Sequence, residues 1–88
     1  MTEEQSIVLT VLADRARRGD GPGSVEEIAE LTRWPGARTF GVGRTRRVLR
    51  ELQAAGHVRR TSSRAAGIRW DLSFEAARRA WKRGEDDR

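Results

Sequence analysis

At Gly56 the hydrophobic period of the chain changes. Before it, apolar residues recur at helical spacing: Ile7, Val8, Val11 and Leu12, then Val25, Ile28, Ala29 and Leu31, then Val48, Leu49, Leu52 and Ala55. After it, Ile68, Trp70 and Leu72 alternate with Arg69 and Asp71. The first pattern belongs to amphipathic helices and the second to a half-buried strand. A chain of 88 residues that passes through several helices and then one alternating stretch has material for one thin core. A domain of this size buries only about 60–65% of its unfolded surface. It has no cysteine, so neither disulfides nor a thiolate zinc site staple that core. The expectation is one α+β domain, mostly α, over residues 1–83, with Glu85-Asp86-Asp87-Arg88 inside a short acidic tail, 84–88.

Local signals divide the chain. Thr2-Glu3-Glu4-Gln5 reads as a capping box in which Thr2 caps the first free N–H groups and Gln5 reaches back. Glu3 and Glu4 suit the positive end of the helix dipole. Helix 1 is expected over 3–18, stopped by Gly19 in a left-handed conformation. Gly19 to Gly23 reads as a loop. Ser24-Val25-Glu26-Glu27 reads as a second capping box, opening a helix over 25–33 that Trp34-Pro35-Gly36 ends. Residues 37–43 read as a turn. In an alternative register Ala37, Phe40 and Val42 finish the preceding helix and Gly43 caps the next. The first reading places a third helix over 43–55, with Gly56 as its stop, and residues 44–52 are helical in both. An extended piece from His57 to Thr61, a polar tip over 62–67 and the strand Ile68 to Leu72 then make a hairpin. Ser73 caps a last helix, 74–83, with Phe74, Ala77 and Trp81 on one side.

The net charge of +5 is unevenly placed. Residues 1–31 carry −4, residues 32–69 carry +9, and residues 70–88 are neutral. The middle segment holds ten arginines against Glu51 alone. Such a concentration is the footprint of a polyanion partner. Arginine's planar fork also pairs bidentately with phosphate or a guanine edge. On helix 3, Arg47 and Arg50 fall nearly opposite the apolar face, with Arg46 on the flank and Arg44 at the start. An α-helix fits the major groove of B-DNA. Arg44, Arg46, Arg47 and Arg50 are therefore the candidate recognition-helix contacts. The competing structural role for Arg47 is a pair with Glu51. Arg33, Arg38 and Thr39 are candidate phosphate contacts at the turn, and Arg60, Ser62, Ser63 and Arg64 on the hairpin.

The order helix, helix, turn, helix, hairpin, helix resembles the winged helix-turn-helix family. Ser24-Val25-Glu26-Glu27-Ile28-Ala29-Glu30-Leu31-Thr32 is similar to that family's positioning helix. Arg47-Val48-Leu49-Arg50-Glu51-Leu52-Gln53-Ala54-Ala55-Gly56-His57-Val58-Arg59-Arg60 is similar to the end of its recognition helix and the first wing strand. Ile68 to Leu72 is similar to the return strand. Between Ala29 and Leu49 the chain is a few residues longer than the common spacing, the excess falling in 33–43. Gly41-Val42-Gly43-Arg44-Thr45-Arg46 is similar to the turn and helix start in DNA-binding modules of actinobacterial plasmid and phage proteins. The resemblance implies three helices, a two-stranded wing and a C-terminal helix. It implies sequence-specific binding of double-stranded DNA, as a small transcriptional repressor or a plasmid or phage factor, with helix 3 in the major groove and the wing on the flank.

Other chemistry lacks its residues. His57 has no Ser or Asp partner pattern, and one histidine cannot build a His-rich metal site. Gly41-x-Gly43 lacks the third glycine of a dinucleotide fingerprint, because Arg46 stands there. The Ser6 to Ala13 stretch is too short to span a bilayer. The tryptophans can stack on bases, but Trp70 fits better as core, and Trp34 sits at the turn. The expectation is a non-enzymatic cytoplasmic, nucleoid-associated DNA-binding protein without cofactor, metal or membrane contact. It is expected to be a homodimer through helix 1 and the Phe74–Trp81 helix. The alternatives are a winged helix that binds an acidic protein, or the DNA-binding module of a larger replication, segregation or transfer machine.

Overall fold

Thr2 opens the first helix as expected: its hydroxyl accepts from the Gln5 N–H at 3.2 Å, and Gln5 Oε1 accepts from the Thr2 N–H. The structure, a computed structural model, describes residues 1–34 and 41–79. Helix α1 runs Glu3–Arg18 and stops at Gly19 with φ of 75°. Ser24 caps α2, Val25–Thr32, by accepting from the Glu27 N–H. Only half of the expected capping box forms there. The Glu27 carboxylate instead accepts from the Ser24 hydroxyl and from Arg69. Helix α3 is Val42–Ala54, and the strands are β1, Val58–Ser63, and β2, Gly67–Leu72. Residues 74–79 are helical, with Ser73 accepting from the Ala76 N–H. Trp81 and the 84–88 tail lie outside the described residues.

The core lies where α1, α2 and α3 meet the root of the hairpin. Val8, Leu12, Ile28, Val48, Leu49 and Leu52 are almost fully buried, with Val58, Trp70 and Leu72 closing the strand side. Four apolar residues depart from the expected stripes. Leu31 is half exposed and Ala55 exposed, because each has turned past the edge of its helix's buried face. Phe74 is 76% exposed, while Ala76 and Ala77 pack on the core in its place. Ile68 is 53% exposed because the hairpin extends past the core it is rooted in.

The β1–β2 pairing is antiparallel, with Val58 opposite Leu72, Arg60 opposite Trp70 and Ser62 opposite Ile68. The hairpin tip is shorter than expected: Ser62 and Ser63 are in β1, and residues 64–66 make the turn. The loop after α1, expected to be free of pairing, joins the sheet. Gly23 donates to the Trp70 carbonyl at 2.9 Å and accepts from the Trp70 N–H at 2.7 Å. Gly23 is thus a one-residue rung on the far edge of β2. Arg15 holds this loop. Its Nε donates to the Gly21 carbonyl at 3.3 Å, its Nη2 to that of Pro22 at 3.4 Å, and it pairs with Glu27 at 3.4 Å. The guanidinium lies where a Cβ on Gly23 would come within 2.9 Å of Nε.

Candidate nucleic-acid interface

The start of α3 is fixed by a tryptophan. Arg33, with φ of 52°, ends α2 in the left-handed region, one residue before the expected Trp34-Pro35-Gly36 stop. Trp34 is 5% exposed, so it fills the core. Its indole N–H donates to Thr45 Oγ1 at 2.7 Å, and the Thr45 hydroxyl donates to the Gly41 carbonyl at 2.9 Å. Gly41, with φ of 68°, is the N-cap. A Cβ there would be strained by that backbone and would collide with the Trp34 ring. Gly43 is therefore not the cap, and Val42 belongs to α3 rather than to a preceding helix. Ala37, Arg38, Thr39 and Phe40 lie outside the described residues.

Three stripes run along α3. Thr45, Val48, Leu49 and Leu52 face the core. Arg44, Arg47 and Glu51 face the N-terminal turn of α1. Arg44 Nε and Arg47 Nη2 both donate to Glu4 Oε2, at 2.5 and 2.8 Å. Gln5 Nε2 donates to Glu51 Oε1 at 3.1 Å. The partner of Arg47 is thus Glu4, and not Glu51 one turn away. The Arg44 guanidinium also lies over the Trp34 ring, 4.4 Å from its centroid. Gly43, Arg46, Arg50 and Ala54 form the third stripe, about 90° around the helix from the second. They line a shallow depression of about 420 Å³ that also touches Arg47 and Glu51.

The wing completes a second hollow. Arg60, Ser62, Ile68 and Trp70 share the sheet face that carries the buried Val58 and Leu72. A groove of about 310 Å³ lies between α3 and this face, lined by Arg46, Arg50, Arg60, Ile68 and Trp70, with Val25 and Glu26 of α2 at its end. Among the described residues, Arg46, Arg50 and Arg60 have no ion-pair partner. The other sheet face is internally neutralised. Arg59 pairs with Asp71 at 3.6 Å, and Arg69 with Glu27 at 2.8 Å. Ser63 accepts from the Ala66 N–H and closes the turn, while Arg64 stands exposed at the tip.

The sequence-derived set therefore divides. Arg46, Arg50 and Arg60 converge on one groove, with Ser62 on the same face. Arg44 and Arg47 are turned toward Glu4. Arg33 is exposed at the end of α2. Glu4, Thr45 and Ile68 are site-forming residues that sequence reasoning missed. Glu4 carried only a helix-dipole signal, because its partners lie 40 and 43 residues away.

Two carboxylates are held below the ordinary glutamate range. For Glu4 the Arg44 hydrogen bond is the main cause, aided by the charges of Arg44 and Arg47. Burial works against ionisation of Glu27, but hydrogen bonds from Ser24 and Arg69 and the nearby Arg15 charge outweigh it.

No protein-family model matches the chain, nor does any curated protein sequence. Solved structures do. A point mutant of Lactococcus lactis ZitR superimposes with a TM-score of 0.68 at 17% identity, over 97% of this chain and 51% of that one. The chain thus spans about half of that protein's length. A Ralstonia eutropha protein assigned as DNA-binding superimposes with a TM-score of 0.65 at 29% identity, over 93% of this chain and 95% of that one. The helix order, the wing register and these superpositions agree: the chain has the winged-helix fold.

Proposed function

We propose that this domain binds double-stranded DNA sequence-specifically, as a small transcriptional repressor or a plasmid or phage DNA-binding factor. One observation carries the reading: Arg46 and Arg50 of α3 and Arg60 of the wing share one groove without acidic partners among the described residues. With α3 in the major groove, Arg46 and Arg50 reach base edges over the bare Gly43. Arg60 and Ser62 sit between helix and wing, against the sugar-phosphate strand that separates major from minor groove. Arg64 at the tip reaches the flank, and Arg33 contacts a phosphate beside α2. Similarity to a Ralstonia eutropha protein assigned as DNA-binding supports the same reading. The role is binding rather than catalysis.

Two copies acting together would supply the base contacts that one small module lacks. The surface for this is α1 with the C-terminal helix, where Met1 and Phe74 are 72% and 76% exposed. The place of action is the cytoplasmic nucleoid. The test is selection of bound duplexes from a random library, then titration at two salt concentrations. A selected motif is expected, with affinity falling steeply as salt rises. The Arg46→Ala/Arg50→Ala protein should keep its fold and lose preference for the motif. Full preference in that protein, or enrichment of no motif, would defeat the assignment.

A further inference from the structure

Two arginines of the recognition helix are already occupied. Arg44 and Arg47 converge on a single oxygen of Glu4, and both N–H groups point at it within hydrogen-bond distance. A phosphate oxygen takes arginine in the same way, since both are oxyanions accepting charge-assisted hydrogen bonds. The carboxylate is not a loose surface group. The Gln5–Glu51 hydrogen bond closes the same seam between α1 and α3, and the Trp34 ring backs the Arg44 guanidinium. Glu4 leaves the pair of arginines at +1, and Glu51 on the same stripe brings the seam to neutrality. The groove stripe beside it keeps Arg46, Arg50 and Arg60 without acidic partners among the described residues.

We propose, on the DNA-binding reading above, that Glu4 is a specificity-determining residue: an internal oxyanion that withholds Arg44 and Arg47 from the phosphates of non-specific duplex. Affinity for arbitrary sequence scales with the number of phosphates neutralised, and each one adds about 0.9 to the salt slope. Withholding two arginines lowers that background. Base-edge contacts from Arg46 and Arg50 are left as they are. Specificity is a difference of two affinities, and weakening the wrong one raises it. Glu4 acts here through Arg44 and Arg47, and touches no DNA itself.

The test measures binding of the full chain to a short random-sequence duplex between about 50 and 200 mM salt. The proteins compared are wild type, Glu4→Gln, R44A/R47A and the triple variant. Glu4→Gln is expected to bind random duplex about tenfold more tightly at the low end, with a salt slope steeper by about one to two. That gain should vanish in the triple variant. R44A/R47A alone should stay within about twofold of wild type on random duplex, because those arginines contribute little while withheld. An unchanged or weaker Glu4→Gln protein overturns the proposal, as does a gain that survives loss of both arginines. If Glu4→Gln does not fold, R44A/R47A decides: a lower affinity with a shallower slope than wild type overturns the proposal. Absence of salt-dependent binding in every protein, wild type included, overturns the DNA-binding reading and this proposal with it.

Discussion

Thr45 shows how one hydroxyl can set the position of a helix. It accepts from the Trp34 indole and donates to Gly41, and it is fully buried. Thr45→Val keeps the shape but leaves the indole N–H without its partner. A buried unsatisfied donor costs about 1–3 kcal/mol, so a urea denaturation midpoint should fall accordingly, while Thr45→Ser should recover most of the loss. Glu27 is the second informative residue, with Ser24, Arg15 and Arg69 around its carboxylate. Its folded pKa is depressed, so ionised Glu27 stabilises the fold above its unfolded value. That stabilisation is lost as pH falls through the folded value. Melting curves of wild type and Glu27→Gln should therefore differ at pH 7 and converge only once the pH has fallen below the depressed folded value of Glu27. Curves that stay parallel to the acid limit would show that Glu27 carries no such linkage. Neither residue announces itself in the sequence. Thr45 is an ordinary helix-interior threonine until Trp34 is placed beside it, and Glu27 reads as a cap until Arg69 arrives from β2.

At the scale of elements, what is local is legible and what is long-range is not. The ends of α1 follow from Thr2, Gln5 and Gly19, and the start of α2 from Ser24, because a cap is decided within a few residues. The stop of α2 falls on Arg33, which adopts a left-handed conformation although it is not glycine, so composition points elsewhere. The sequence reading puts a cap for α3 at Gly43, whereas the structure puts it at Gly41. The Trp34 ring decides between them, since only Gly41 lies against it. The Gly23–Trp70 rung and the Glu4–Arg44/Arg47 contacts join residues about 40 or more apart, beyond any window of periodicity. The arginine set was legible as a set, but its division between groove and α1 was not. That division makes a prediction about elements. Arg60→Ala, on the wing, should weaken binding to all duplexes alike and reduce the salt slope by about 0.9. Arg50→Ala, on α3, should instead relax preference at one base position by about 1–3 kcal/mol. Indistinguishable profiles for the two variants would count against separate roles for helix and wing.

For the whole molecule, the sequence's charge asymmetry becomes a spatial arrangement. The acidic first third does not simply point away from the basic face. Glu4 reaches into it, and Glu27 neutralises the outer side of the wing through Arg69. The proposed dimer belongs to this scale. Sedimentation at concentrations that saturate DNA is expected to give a two-copy species, and a strictly monomeric boundary would rule that arrangement out. The Gly23 rung has a consequence for colloidal behaviour. It occupies the far edge of β2 at Trp70, while β1 has no strand or bridge on its outer side among the described residues. An open edge invites strand addition from another molecule, and charged side chains along it discourage such growth. Arg59 and Arg60 occupy that edge strand. The wing's arginines thus also act as guards against fibril-like stacking, and a concentrated stock kept free of polyanions should rely on them to stay dispersed.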